Sequence, residues 1–244
     1  MEQYFNGKIV LITGAGWGIG AATASLYAAC GAKVIISDTS RKGGKDTVAK
    51  IKKQKGDAIY IKTDVSNPAA CEKLIKRAIG IYGSIDIACN NSVIFSEALH
   101  PADKDMEALD DEAGLNLNGL YNCMQYEIEA MQKQGGGVIV NTSSIVGAIG
   151  LASLSRYVDV KYGMAALLQN TPGKYPFRGI HISTIAPSFI NIAILKAIIQ
   201  TEKERLIELS SIDRLGMIQE VADLVLWLSS DKMHLLPTVF DDNN

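Results

Sequence analysis

Lys8-Ile9-Val10-Leu11-Ile12-Thr13-Gly14-Ala15-Gly16-Trp17-Gly18-Ile19-Gly20 decides how the rest of the chain is read. The unbroken apolar run at 9–12 predicts a strand buried on both faces, the pattern of a parallel sheet. Glycines follow at 14, 16, 18 and 20, and the Ala- and Leu-rich stretch 21–30 predicts a helix. Strand, glycine turn and helix in that order form a phosphate site. The first N–H groups of a helix are unpaired donors with partial positive charge, and glycine lets a pyrophosphate approach the backbone closely. A tight turn without a ligand is the competing reading, and the rest of the chain has to choose.

Outward from this unit, strand and helix patterns alternate about six times. Strands are expected at 33–37, 58–62, 85–89, 138–141 and 180–185. Helices are expected at 41–54, 69–82, about 112–134 and 219–229, with another starting near Ser155. Alternation of this kind makes an α/β fold with a mostly parallel sheet, whose ligands bind beyond the carboxyl ends of the strands. The glycine turn, Asp38, Asp64, Asn91, Ser144 and Pro187 each follow a predicted strand.

With 244 residues, 48% of them hydrophobic, the chain can bury the core of a single α/β domain spanning 1–244, and no second domain is required. A net charge of −2 gives no electrostatic case for nucleic acid or an anionic membrane as partner. Cys30, Cys71, Cys89 and Cys123 form no Cys-x-x-Cys pair, so they read as reduced core thiols and no metal site is expected. The stretch 1–7 is too polar and short for a signal peptide, and no apolar run reaches membrane-spanning length. A cytoplasmic location is expected.

The order Thr13-Gly14-x-x-x-Gly18-x-Gly20 differs from the Gly-x-Gly-x-x-Gly of many dinucleotide folds. It resembles the Thr-Gly-x-x-x-Gly-x-Gly signature of the short-chain dehydrogenase/reductase family. Tyr157 and Lys161 lie four apart on one helical face. Tyr157 also follows Ser144 by thirteen residues, a spacing similar to that family's. The resemblance runs from Thr13 to Ala222. It implies a three-layer, doubly wound Rossmann fold with about seven strands, and a segment at about 188–212 that covers the substrate; an ordinary surface helix is the alternative there.

The resemblance implies a coenzyme site made by Gly14, Trp17, Gly18, Ile19, Gly20, Asp38, Asp64, Val65, Asn91, Tyr157, Lys161, Pro187 and Ile190. Asp38 can accept both hydroxyls of an adenosine ribose and would repel a 2′-phosphate, which favours NAD over NADP; a solvated strand-end carboxylate is the plainer alternative. Trp17 stands where NADP users of the family often carry a basic residue. Asp64 and Val65 resemble the pair that contacts adenine, although Asp64 is equally a helix cap ahead of Ser66-Asn67-Pro68.

The implied catalytic set is Asn116, Ser144, Tyr157 and Lys161. A free phenol has a pKa near 10 and a neighbouring ammonium lowers it, so Lys161 would prepare Tyr157 as general acid and base. Ser144 and Tyr157 would bind the substrate oxygen, and Asn116 would support a water next to Lys161. An unremarkable helical Asn is the alternative for Asn116. The chain departs from the family pattern at Val93 and Ser188, where glycine is expected, at Ile192, where threonine is expected, at Pro172, and in a degraded tail.

The expected function is an NAD-dependent oxidoreductase acting on a secondary alcohol or ketone. Phe95, Ile145, Val146, Phe189, Ile194 and Leu195 would give an apolar pocket wall. The alternatives are a 3-oxoacyl thioester reductase and a non-catalytic dinucleotide sensor. The helices around Tyr121 and Met164 resemble those that join family members into homo-oligomers, tetramers or dimers.

Overall fold

Strand β1 (Ile9–Thr13) is buried along its whole length because it is covered on both sides. In the computed structural model, residues 4–92, 114–144, 162–164, 166, 179–192, 204, 207–208 and 212–230 are described. With β1, strands β2 (Lys33–Asp38), β3 (Asp57–Lys62), β4 (Ile87–Asn90), β5 (Gly137–Thr142) and β6 (Ile180–Ile185) form one sheet in the order β3-β2-β1-β4-β5-β6. Every neighbouring pair is parallel. The chain order reverses between β1 and β4, which places the ligand crevice of a doubly wound sheet beside the end of β1.

The alternation of side chains along each strand divides the core in two. Val10, Ile12, Val34 and Ile36 pack on one face with Ala24 and Tyr27 of α1 (Gly18–Ala29), Ile51 of α2 (Arg41–Lys53) and Val221 of α5 (Ile218–Leu228). Ile9, Leu11 and Ile35 pack on the other with Leu74 and Ala78 of α3 (Pro68–Tyr82) and Met124 and Met131 of α4 (Gly119–Gln134). Three layers result. The sheet has six strands among the described residues rather than about seven; the degraded tail expected to supply a last strand lies outside them.

The helix expected over about 112–134 is not regular throughout its described part. A π-helical turn, Gly114–Asn118, precedes α4, and Asn116 sits in it almost fully buried. Such single π turns are a common distortion at functional sites. Tyr121 and Tyr162 are exposed, whereas Met164 is buried in the core.

The helix starts differ in a way that matters for the site. The Ser40 side chain accepts from Gly43 N at the start of α2, and Asn67 Oδ1 accepts from Ala70 N at 3.2 Å at the start of α3, with Pro68 as the first helical residue. Asp64 is therefore not the cap of α3. Its Oδ1 instead accepts from the backbone N–H and hydroxyl of Ser66, at 3.0 and 2.7 Å, in a turn just ahead of the helix. Replacing Asn67 by alanine is expected to lower stability by about 1 kcal/mol in chemical denaturation, with no change in the denaturant slope. At α1, Trp17 offers no side-chain cap at all.

All four cysteines are free and buried. The sulfurs of Cys71 and Cys123 lie 3.9 Å apart, a proximity that their separation in sequence conceals.

Candidate active site

The glycine turn is fixed from three directions before any ligand is considered. Gly14 has φ +62°, and a Cβ there would lie 2.7 Å from Ser92 Cα, so only glycine fits between β1 and the end of β4. From the β2 side, Ala15 N donates to the Ser37 carbonyl and Gly16 N donates to Asp38 Oδ2 at 2.8 Å. From α2, the Thr47 hydroxyl donates to the Ala15 carbonyl at 3.0 Å. From β4, the Asn91 and Ser92 N–H groups donate to Thr13 Oγ1, and Asn91 Nδ2 donates to the Gly14 carbonyl at 3.2 Å.

Asp38 is held as firmly. Its second carboxylate oxygen accepts from Ser40 N at 2.8 Å, and its carbonyl accepts from the Tyr60 hydroxyl at 2.9 Å. Burial, and after it the Asp38 charge, raises the Tyr60 phenol above its ordinary value, so this hydroxyl stays a donor. Asp38 is only 9% exposed, a placement that sets aside the reading of a freely solvated strand-end residue.

These elements enclose a cleft of about 260 Å³. Gly14, Trp17, Gly18, Ile19, Asp38, Asp64, Val65 and Asn91 line it. Thr39, Thr63, Ser92 and Ile192 line it too. Thr63 and Ser92 are neighbours of expected residues, and no residue-level signal singled them out. Gly20 stands behind the cleft, packed against the Gly14 carbonyl and the Asn91 side chain. Pro187 and Ile190 line a second cavity of about 550 Å³, with Arg214, Leu224 and Trp227.

A dinucleotide fits the first cleft on its chemistry. The uncapped first turn of α1 presents backbone donors to an anion, the space over Gly18 is open, and a fixed carboxylate waits one strand away for a ribose. At the neighbouring strand end, Ser144 lies two residues beyond β5 and is half-buried. Tyr157, Lys161, Val93 and Pro172 lie outside the described residues, as do Phe95, Ile145, Val146, Ile194, Leu195 and most of the segment at 188–212. Among the described residues, no group of three or more His, Cys, Asp or Glu side chains could hold a metal ion, and no helix is long and apolar enough to cross a membrane.

Comparison with known proteins gives the same picture over almost the whole chain. The short chain dehydrogenase family model matches residues 8–203. The cyclohexanol dehydrogenase of Acinetobacter sp. (strain SE19) is 35% identical over 231 residues, covering 95% of this chain and 91% of that protein. A 3-oxoacyl-[acyl-carrier-protein] reductase of Staphylococcus aureus (strain Mu50) is 32% identical over 226 residues, 92% of each chain. The crystal structure of levodione reductase superposes with a TM-score of 0.87 at 30% identity, covering 93% of this chain and 92% of that one.

Proposed function

The chain belongs to the short-chain dehydrogenase family, and from that membership we propose that it interconverts a secondary alcohol and its ketone with NAD as coenzyme and Tyr157 as the general acid and base. The observation that supports NAD most is the Asp38 carboxylate, held 2.8 Å from Gly16 N at the rim of the glycine cleft. Its two oxygens keep acceptor capacity for the two ribose hydroxyls of NAD, and its charge opposes a 2′-phosphate.

When bound, the nicotinamide ring supplies the hydride acceptor or donor. The chain supplies the remainder. The α1 N-terminus and its glycines hold the pyrophosphate, and Asp38 holds the adenosine ribose. The Ser144 hydroxyl hydrogen-bonds the substrate oxygen and orients it, while Tyr157 takes its proton during oxidation or returns it during reduction. The Lys161 ammonium favours the phenolate and so brings Tyr157 towards neutral pH. Asn116, buried in its π turn, holds a water against Lys161.

The relation to a cyclohexanol dehydrogenase supports a cyclic secondary alcohol as substrate. The Staphylococcus aureus relative favours, as a second reading, a 3-oxoacyl thioester reductase. Asp38 counts against the NADP use expected of such an enzyme, and the net charge of −2 against an acidic acyl carrier. The proposal also places the enzyme in the cytoplasm as a homo-oligomer, tetramer or dimer.

Initial rates with cyclohexanol and a panel of linear alcohols test the reading. Wild-type enzyme is expected to prefer NAD over NADP by about a hundredfold in kcat/KM, and Asp38→Ser to narrow this by about tenfold, because like charges brought together cost several kcal/mol. A preference for NADP in the wild type overturns the coenzyme assignment. Tight NADH binding with no turnover on any alcohol or ketone overturns the enzyme reading in favour of a sensor.

A further inference from the structure

Glu127 is 1% exposed in the middle of α4, facing the sheet rather than solvent. One of its oxygens accepts from Asn90 Nδ2 at 2.9 Å, and the same Asn90 nitrogen donates to Asn141 Oδ1 at 3.0 Å across the β4–β5 pairing. Among the described residues, Glu127 Oε1, Asn90 Oδ1 and Asn141 Nδ2 have no hydrogen-bond partner. This buried polar group is unused by the mechanism above, yet Asn90 immediately precedes Asn91 and Ser92, the residues that tie the coenzyme turn to β4.

We propose that Glu127 is a positioning residue for coenzyme binding: through Asn90 it sets the end of β4, and through Asn91 and Ser92 it sets the glycine turn. The inference rests on the dinucleotide reading of the cleft and adds a residue from outside it. The mechanical chain is short. Gly14 lies against Ser92 with no room to spare, so a displacement of Asn90 passes to the turn without slack.

Glu127 performs this role as a neutral acid. A buried carboxylate needs a cation or several donors, and among the described residues Glu127 has one amide donor. Burial accordingly pushes its pKa up to about 7 against the lowering effect of the Asn90 hydrogen bond. Among the described residues, the titratable group beside it on its own side of the sheet is the Cys123 thiol one turn earlier on α4, with Cys71 of α3 behind it; the Cys89 thiol of β4 points to the opposite face, towards Tyr27. The Glu72–Lys76 pair of α3 and the Glu129–Lys133 pair of α4 are exposed. The folded pKa exceeds the ordinary 4.5, so the stability contributed by Glu127 is complete below pH 4.5 and is lost as pH rises through about 7. Ionisation also leaves a buried, uncompensated charge against Asn90 and so disturbs the end of β4 on which the turn rests, and coenzyme affinity falls over the same rise.

The test is the NADH dissociation constant, followed by fluorescence from pH 5.5 to 8.5 in wild type, E127Q and E127M, with thermal melting alongside. Wild-type affinity is expected to fall at least about threefold between pH 6 and 8, and E127Q, with no titrating group, to lose most of that dependence. E127M, which cannot hold Asn90, is expected to weaken binding at pH 6 by about tenfold at temperatures well below its melting point. Equal pH dependence in wild type and E127Q overturns the inference, as does an unchanged constant in folded E127M. If E127M does not fold, the E127Q comparison decides alone. If wild type binds no NADH, the dinucleotide reading itself fails and takes this inference with it.

Discussion

Gly20→Ala is expected to weaken NADH binding by about a hundredfold, and to do so more than it lowers thermal stability. A methyl group at this position runs into the Gly14 carbonyl and comes within 2.8 Å of Asn91 Nδ2. Those are the two ends of the hydrogen bond that closes the coenzyme turn onto β4. Neither partner can retreat. Gly14 is backed by Ser92, and Asn91 is fixed through its own backbone N–H to Thr13. Overpacking of this sort costs about 1–3 kcal/mol in a packed interior, and here the displaced atoms are the ones that shape the phosphate cradle. Fluorescence titration and thermal melting on the same preparation check it. A variant with wild-type NADH affinity would show that the turn is not the coenzyme site. A variant that loses stability and binding in equal proportion would show that the turn matters only as packing.

Tyr157→Phe is expected to reduce kcat by about a thousandfold or more while leaving the NADH dissociation constant within a few-fold of wild type. The phenylalanine ring preserves the bulk of the side chain and removes only the atom that moves the proton. Equal loss in kcat and kcat/KM is the signature of a group whose interaction is made in the transition state. The substrate oxygen would keep Ser144 as a hydrogen-bond donor, which accounts for residual turnover. Steady-state rates in both directions with a cyclic alcohol and its ketone check the prediction. Turnover within tenfold of wild type would remove Tyr157 from the catalytic role and leave the thirteen-residue spacing from Ser144 without chemical meaning.

The glycine cleft was legible because its residues are contiguous with strands that announce themselves. Asp38 follows an apolar run, and the glycines follow another, so their convergence at one edge of the sheet needs only the parallel arrangement of β1 and β2. Pro187 was read by the same logic and still faces the second cavity with Ile190 and Trp227. A strand end fixes which edge a residue reaches and leaves open which side of the edge it turns to. Asp64 makes the complementary case. Its position between strand and helix allowed either a cap or a cleft residue, and the cap fell to Asn67 because the helix begins at Pro68.

Local chemistry alone determined the strands and the succession of strand, glycines and helix at the start of the chain, since each depends on neighbours within a few residues. Tertiary structure alone decided the π turn that carries Asn116, the proximity of Cys71 and Cys123, and the burial of Glu127 against Asn90. No sequence pattern marks Glu127, which lies 37 positions from Asn90, itself 51 positions from Asn141. The reason is physical: a carboxyl group chooses between water and a single amide donor only once the sheet and α4 have closed around it.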